Sequence, residues 1–295
     1  MGSFSILNNI GSINSQNQLN INNVNLARTL NRLASGKRIN SGADDAAGLQ
    51  IADSLKANVY ALNQAVRNAN DGISVAQIAD GALQEVTNLL TRAVTLAEEA
   101  ATGTVDASGR KALDNEFQSI QAEIARIATA TNFNGNQLFA DNVGGSETDT
   151  LTVFVGDISM TNAANGAMIG VQIGNISADA SAGTVSGFCG VGGLDATNLL
   201  NDGNASAALG TLKEALNAVS TMRGTIGAGM NRLQSAIAVI QTQSQNTQAA
   251  ESTLRDANIA EEISNLTRQQ ILSQSGMAAL AQANSNSQSV LSLLR

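Results

Sequence analysis

One apolar seam, starting at Ala52, constrains this chain more than any other feature. Steps of alternately three and four residues pass through Ala52, Leu55, Val59, Leu62, Val66, Ala69, Ile73, Ala76, Asp80, Leu83, Thr87, Leu90, Val94 and Ala97. Only Asp80 and Thr87 break the pattern, so a heptad repeat is sustained along the whole run. A helix from about residue 46 to 100 would be about 80 Å long at 1.5 Å per residue. Gly72 and Gly81 weaken it by about 1 kcal/mol each relative to Ala, too little to end it. Leu113, Phe117, Ile120, Ile124 and Ile127 repeat the pattern. Leu209, Leu212, Leu216, Val219, Arg223, Ile226, Met230, Leu233, Ile237 and Ile240 form a third seam, broken only at Arg223. Three seams predict a three- or four-helix bundle, built from sequence before and after a central segment. The absence of proline from all 295 residues agrees, because proline removes a backbone donor and breaks a helix interior.

The two ends differ from the middle. Residues 1–33 carry a stripe at Ile6, Ile10 and Ile13 that slips phase to Leu19, Leu26, Leu30 and Leu33. The last segment has Leu254, Ile259, Ile263 and Leu266, a slip near Ile271, then Met277, Leu280, Leu291 and Leu294. The rest of both segments is mainly Asn, Gln, Ser and Ala. A lone helix of this polarity gains too little from burial to offset its ordering entropy. Both ends therefore read as assembly surfaces that order when a partner covers the stripe. Between the first helix and the long one, Gly36 and Gly42 interrupt the helix, while Ser41, Asp44 and Asp45 supply capping oxygens. With no third ligand type nearby, capping is a better reading of the paired Asp residues than a metal site.

The central segment has a different chemistry. No Lys or Arg lies between Arg126 and Lys213, whereas Asp141, Glu147, Asp149, Asp157, Asp179, Asp195 and Asp202 do. Asn134-Gly135 predicts a turn after the second helix. The alternating runs Leu151-Thr152-Val153-Phe154-Val155 and Met168-Ile169-Gly170-Val171-Gln172-Ile173 predict a β-hairpin. From 177 to 205 small residues, Gly and Asp dominate, and no regular element is expected. No seam crosses the middle, so roughly 145–203 reads as dispensable for assembly. Cys189 has no basic neighbour to lower its pKa and reads as a buried or unreactive thiol.

Several function classes are excluded by composition. Without His there is no Ser-His-Asp or Cys-His catalysis, no His-ligated zinc and no HExxH protease. No enzymatic role and no cofactor are expected. A net charge of −8 argues against a nucleic-acid partner. No apolar run reaches the eighteen or so residues of a membrane span, so no membrane insertion is expected. The first basic residue is Arg28, and no continuous apolar run precedes it, so the start does not read as a Sec-type signal peptide.

Ordered motifs then carry a resemblance. They are Leu33-Ala34-Ser35-Gly36-Lys37-Arg38-Ile39-Asn40-Ser41 with Asp44-Asp45-Ala46-Ala47-Gly48, Arg67-Asn68-Ala69-Asn70-Asp71-Gly72-Ile73-Ser74, and Phe133-Asn134-Gly135. At the other end are Ala250-Glu251-Ser252, Arg255-Asp256, Gln270-Ile271-Leu272, Leu280-Ala281-Gln282-Ala283-Asn284 and Ser289-Val290-Leu291-Ser292-Leu293-Leu294-Arg295. Together they cover about 1–140 and 206–295, and the chain resembles bacterial flagellins, in a short form with a reduced central region. The opening Met1-Gly2-Ser3-Phe4-Ser5-Ile6 departs from the usual family start.

The resemblance implies a mainly α fold: a long coiled-coil helical bundle with discontinuous N- and C-terminal halves and a small central β-hairpin region. It implies a filament-core helix and connecting spoke over 1–45, bundle over 46–140, a solvent-exposed region over 141–205, bundle over 206–250, and a second filament-core helix over 251–295. The subunit would self-assemble head-to-tail into a helical filament used for motility, with a polymerisation core of Ile6, Ile10, Ile13, Leu26, Leu30, Leu33, Leu254, Ile259, Ile263, Leu266, Met277 and Leu280. The implied partners are further copies of the chain, a flagellar export chaperone on the C-terminal segment, and cap and junction proteins. Type III export without a cleavable signal would place it in the extracellular filament. The family's contact for a host Toll-like receptor aligns onto Arg92, Leu96 and Glu116. As an i,i+4 pair off the seam, Arg92 and Leu96 are expected to face solvent, as is Glu116. The alternatives are a hook–filament junction protein, which shares helical ends, and a cytoplasmic coiled-coil scaffold.

Overall fold

The computed structural model describes residues 9–139, 150–156, 167–179, 184–188, 191–192, 194 and 197–293. Ile6, Cys189 and Leu294 lie outside them. In chain order the elements are α1 (Ile10–Ser35), α2 (Ala46–Ala100), α3 (Ala107–Ala130), β1 (Asn132–Phe133), β2 (Asn136–Gln137), β3 (Thr150–Phe154), β4 (Met168–Gln172), β5 (Ile176–Asp179), β6 (Thr184–Phe188), β7 (Val191–Gly192), α4 (Asp202–Arg255) and α5 (Ile259–Leu293). The chain divides into two compact units, one of residues 1–57 with 246–295 and one of residues 58–245.

Within residues 58–245 the seam of α2 is only half that read from the sequence. Leu62, Ala69, Ala76, Leu83, Leu90 and Ala97 are fully buried as expected. The second buried series, however, is Ala65, Gly72, Ala79, Val86, Ala93 and Ala100, three residues on rather than four. The expected Val66, Ile73 and Val94 are only half-buried. The same displacement occurs in α4, where Ala208, Ala215, Met222 and Gly229 are buried and Leu209, Leu216, Met230 and Ile237 are half-buried. The reason is side-chain size. A reading weighted by hydrophobicity picks large residues, whereas Ala and Gly occupy the positions where neighbouring backbones come closest.

Two breaks in the seams prove to be partners. Arg223 Nε donates to Asp80 Oδ1 at 2.8 Å, joining α4 to α2. Ser244 Oγ meets Asn63 Oδ1 at 3.3 Å, so the two helices run antiparallel. Arg110 donates from Nε to Ala100 O at 3.1 Å and pairs with Asp202, securing the end of α2 and the first turn of α4. On α3, Phe117 and Ile124 are fully buried. A polar ladder on the same helix holds the segment before α4. Asp114 Oδ1 accepts from Leu199 N at 2.8 Å, and buried Gln121 Nε2 donates to Leu194 O at 2.7 Å.

The central segment contains more structure than its composition suggests. Asn134 (φ 51) and Gly135 (φ 84) form the two left-handed positions of the tight turn joining β1 to antiparallel β2. Strands β3 and β4 pair antiparallel with Thr150 opposite Gln172 and Phe154 opposite Met168, the hairpin expected from the alternation. The expectation of no regular structure from 177 onward is corrected by β6, which pairs antiparallel with β5 on one side and with β7 on the other in one three-stranded sheet. The run Thr184-Val185-Ser186-Gly187-Phe188 mixes small and polar residues with only two large apolar ones, so its period-2 signal is weak.

The hairpin also explains two helical glycines. A Cβ on Gly72 would lie 2.6 Å from a methyl of Val153, and one on Gly229 would lie 2.8 Å from a methyl of Val171. Val171, Leu194 and Leu199 are essentially unexposed. Strands β3 and β4 of the central segment therefore seat in notches of the helical core, a contact within one chain that is separate from the expectation about assembly. Gly81, by contrast, has open space beside it. Gly81→Ala should stabilise the protein by about 0.5–1 kcal/mol through helix propensity. Gly72→Ala should destabilise it by about 1 kcal/mol, since overpacking outweighs the same propensity gain. Urea denaturation of the two variants checks the opposite signs.

Candidate assembly surface

In the unit of residues 1–57 and 246–295, α1 packs along α5. Asn9 Nδ2 donates to Ala283 O at 3.0 Å, Asn22 Nδ2 donates to Gln269 O at 2.8 Å, and Arg32 meets Glu262 at 3.6 Å. The partner's number falls as that of α1 rises, so the pair is antiparallel. Small residues allow close approach: a Cβ on Gly276 would lie 3.1 Å from Leu19 Cδ1. The most buried residues of α1 are the polar Asn22 and Thr29, not its isoleucines.

This divides the expected polymerisation core into two sets. Leu26, Leu33, Leu254, Leu266 and Leu280 are half-buried within the chain. Ile10, Ile13, Leu30, Ile259, Ile263 and Met277 are exposed, at 63% for Ile10 and 53% for Met277. Ile21, Val24, Ile271 and Leu272, which the stripe did not include, are exposed as well. The phase slip of α1 has a simple cause at 100° per residue. Ile10, Ile13, Ile21 and Val24 share an outward face, while Leu19, Leu26 and Leu33 share the face toward α5. Two stripes of one helix look like one stripe that slips.

The connectors on either side of this pair are tied together. Gly36 ends α1 in the left-handed conformation (φ 68), which favours glycine. Ala257 N donates to Gly36 O at 2.9 Å, and Arg38 N donates to Arg255 O at 2.7 Å. Arg38 Nη2 donates to Leu254 O at 2.9 Å, and Arg255 reaches Asp53 at 3.2 Å. Asp45 Oδ1 accepts from Gly48 N at 2.9 Å, the capping role read for it. Asp44 Oδ2 instead accepts from the Asn40 and Ser41 amides and the Ser41 hydroxyl, with Arg28 and Arg32 nearby.

The Ser41 amide, first among these donors, holds the Asp44 carboxyl below its ordinary range. A carboxylate with a depressed folded pKa contributes stability that is fully present above its unfolded value, about 3.9. That contribution is lost as pH falls through the lower folded value. Acid titration should therefore loosen the connector only below about pH 4, and Asp44→Asn should remove this pH dependence. Thermal melts of both proteins from neutral to acidic pH measure the difference.

The residues aligned with the receptor contact do not all lie at the surface. Arg92 and Glu116 are exposed, and Arg92 Nε and Nη2 donate to Glu116 Oε1 at 2.9 and 2.7 Å. Leu96 is 1% exposed, which corrects the expectation that it faces solvent. It lies beside Ala93 and Ala100 of the displaced stripe, and a helix packed on two sides buries a broader arc than one heptad seam. Among the described residues, no helix is long and apolar enough to cross a membrane.

Comparison with known proteins agrees with this arrangement at both ends. Residues 6–143 match the bacterial flagellin N-terminal helical region, and residues 209–294 match the bacterial flagellin C-terminal helical region. The chain is 38% identical to a flagellin of Halalkalibacterium halodurans over 290 residues, covering 98% of this chain and 99% of that one. It is 35% identical to flagellin FlaB2 of Treponema pallidum over 293 residues, again covering 98% and 99%. A flagellin of Bacillus subtilis is 36% identical over 310 residues, with the same coverage. Both matched regions contain the helices that pair as α1 and α5, and the relatives span essentially the whole sequence: the chain belongs to the bacterial flagellins.

Proposed function

We propose that this protein is the structural subunit of a flagellar filament used for motility, adding head-to-tail to identical copies outside the cell. The observation that carries this reading is the outward apolar face of the α1–α5 pair. Ile10, Ile13, Ile21, Val24, Ile259, Ile263, Ile271 and Met277 are exposed in the single chain. Exposed apolar groups concentrated on one helical pair mark an association surface. Head-to-tail addition is a heterologous contact that need not close, and it produces a helical filament. The junction-protein and scaffold readings have no comparable support from relatives spanning the full chain.

Seeded polymerisation tests the proposal. Removing residues 1–33 or 255–295 should leave protein that no longer pellets as filaments, and normal filaments from either would overturn the assignment of the ends. Hydrogen exchange adds a second readout. Residues 10–30 and 259–290 should exchange slowly in the filament and rapidly in the monomer, because neighbouring copies cover the outward stripe.

The reading extends to an export chaperone on the C-terminal segment, to cap and junction proteins at the filament ends, and to type III export. A host Toll-like receptor contact would rest on the exposed Arg92–Glu116 pair, since Leu96 belongs to the core. Monomer should bind the receptor ectodomain, and Arg92→Ala should weaken binding by about 1–3 kcal/mol. Equal binding by the variant would remove that contact.

A further inference from the structure

Between the β3–β4 hairpin and α4 lies an open cleft of about 430 Å³, lined by Thr150, Gln172, Thr225, Gly229 and Arg232 among others. Thr150 and Gln172 are cross-strand partners, and Thr225 Oγ1 donates to Gln172 O at 3.3 Å, tying α4 to the strand. Arg232 is exposed. Within residues 58–245, Arg67, Arg92, Arg110, Arg126 and Arg223 each donate to an oxygen of the chain. Among the described residues, Arg232 donates to none. A guanidinium fork flanked by hydroxyl and carboxamide donors is suited to a carboxylate.

The complementary group lies elsewhere on the same unit. Glu98 and Glu99 are exposed in the last turn of α2, which contains no basic residue. A helix C-terminus carries partial negative charge, so two carboxylates there are unfavourable unless a cation reaches them. Arg110, which reaches this turn, is already committed to Ala100 O and Asp202. Neither glutamate side chain has a partner among the described residues. They cannot serve Arg232 of their own chain. A Cβ on Gly72 would lie 3.4 Å from Leu233, which places Arg232 near that level of α2, and about 40 Å of helix separates Gly72 from Glu98.

We propose that the Arg232 cleft receives the Glu98–Glu99 carboxylates of a second copy of this chain. The proposal rests on the filament reading above. Head-to-tail association requires two different patches on each subunit, and here an arginine and an acidic pair, each without an oppositely charged partner among the described residues, provide them. The interaction fixes axial register between successive copies, as interfacial charges commonly do.

Seeded elongation of the full-length chain, with monomer melting as a check on folding, tests it. Arg232→Glu should raise the critical concentration about tenfold or more, and Glu98→Lys with Glu99→Lys should do the same. Arg232→Gln, which removes the charge without reversing it, should raise it about threefold. The charge-swapped chain carrying all three reversals should return to within about threefold of the natural sequence. Normal elongation by Arg232→Glu, or no recovery in the swap, would overturn the proposal. Saturable glutarate binding to monomer that is lost in Arg232→Gln, together with no recovery in the swap, would assign the cleft to a free carboxylate instead. If the natural sequence itself fails to elongate, the filament reading falls and this one with it.

Discussion

Changing Ile13 and Ile263 together to Asp should abolish filament growth on seeds while leaving the monomer's melting temperature nearly unchanged. Both side chains are about half exposed in the single chain, at 51% and 49%. The folded monomer therefore loses little when they become polar. Under the proposed assembly a filament covers the same positions, and burying a carboxylate without a partner costs several kcal/mol. A loss of about 3 kcal/mol per subunit already raises the critical concentration more than a hundredfold. The contrasting variant is Leu26→Asp, on the face toward α5, where the side chain is half-buried within the chain. That change should loosen α1 from α5 in the monomer itself, seen as a lower melting temperature, unlike the outward pair. If Ile13→Asp, Ile263→Asp protein elongates normally, the outward stripe is not the assembly surface.

Phe117→Ala should produce the largest loss of stability of any single core truncation in α3. Phe117 is completely buried and is among the largest fully buried side chains in the described residues. Its neighbours in the core are mostly Ala, Leu, Ile and Val on long helices. Such helices are pinned along their length by other contacts, so they collapse little around a void. The expected cost is about 3–5 kcal/mol, combining lost transfer energy with the cavity. For a unit of this size that corresponds to a fall in melting temperature of about 10 °C. Calorimetry of the monomer measures it, and a change below about 1 kcal/mol would mean that the core relaxes into the space.

Much of this protein is legible in its sequence. The heptad seams place α2, α3 and α4, because a 3.5-residue apolar period leaves no other way to bury so many Leu, Ile and Val side chains. The Asn134-Gly135 turn and the β3–β4 alternation are equally local, since φ > 0 at a turn and period 2 in a strand depend on neighbouring residues alone. The ordered end motifs identified the family without any geometry.

What tertiary structure decided was which face of each element meets which partner. Ala65, Ala79 and Gly229 became core because of what lies opposite them, and their own side chains carry almost no hydrophobic signal. The pairing of Asp80 with Arg223 joins residues far apart in sequence that each looked like a defect. On α1, burial of Asn22 and exposure of Ile13 reverse the order expected from hydropathy. That reversal has a physical reason: within one chain α1 is only half partnered. One side of it meets α5 and the other, on the proposed assembly, meets further copies, and a period read from one helix cannot separate the two.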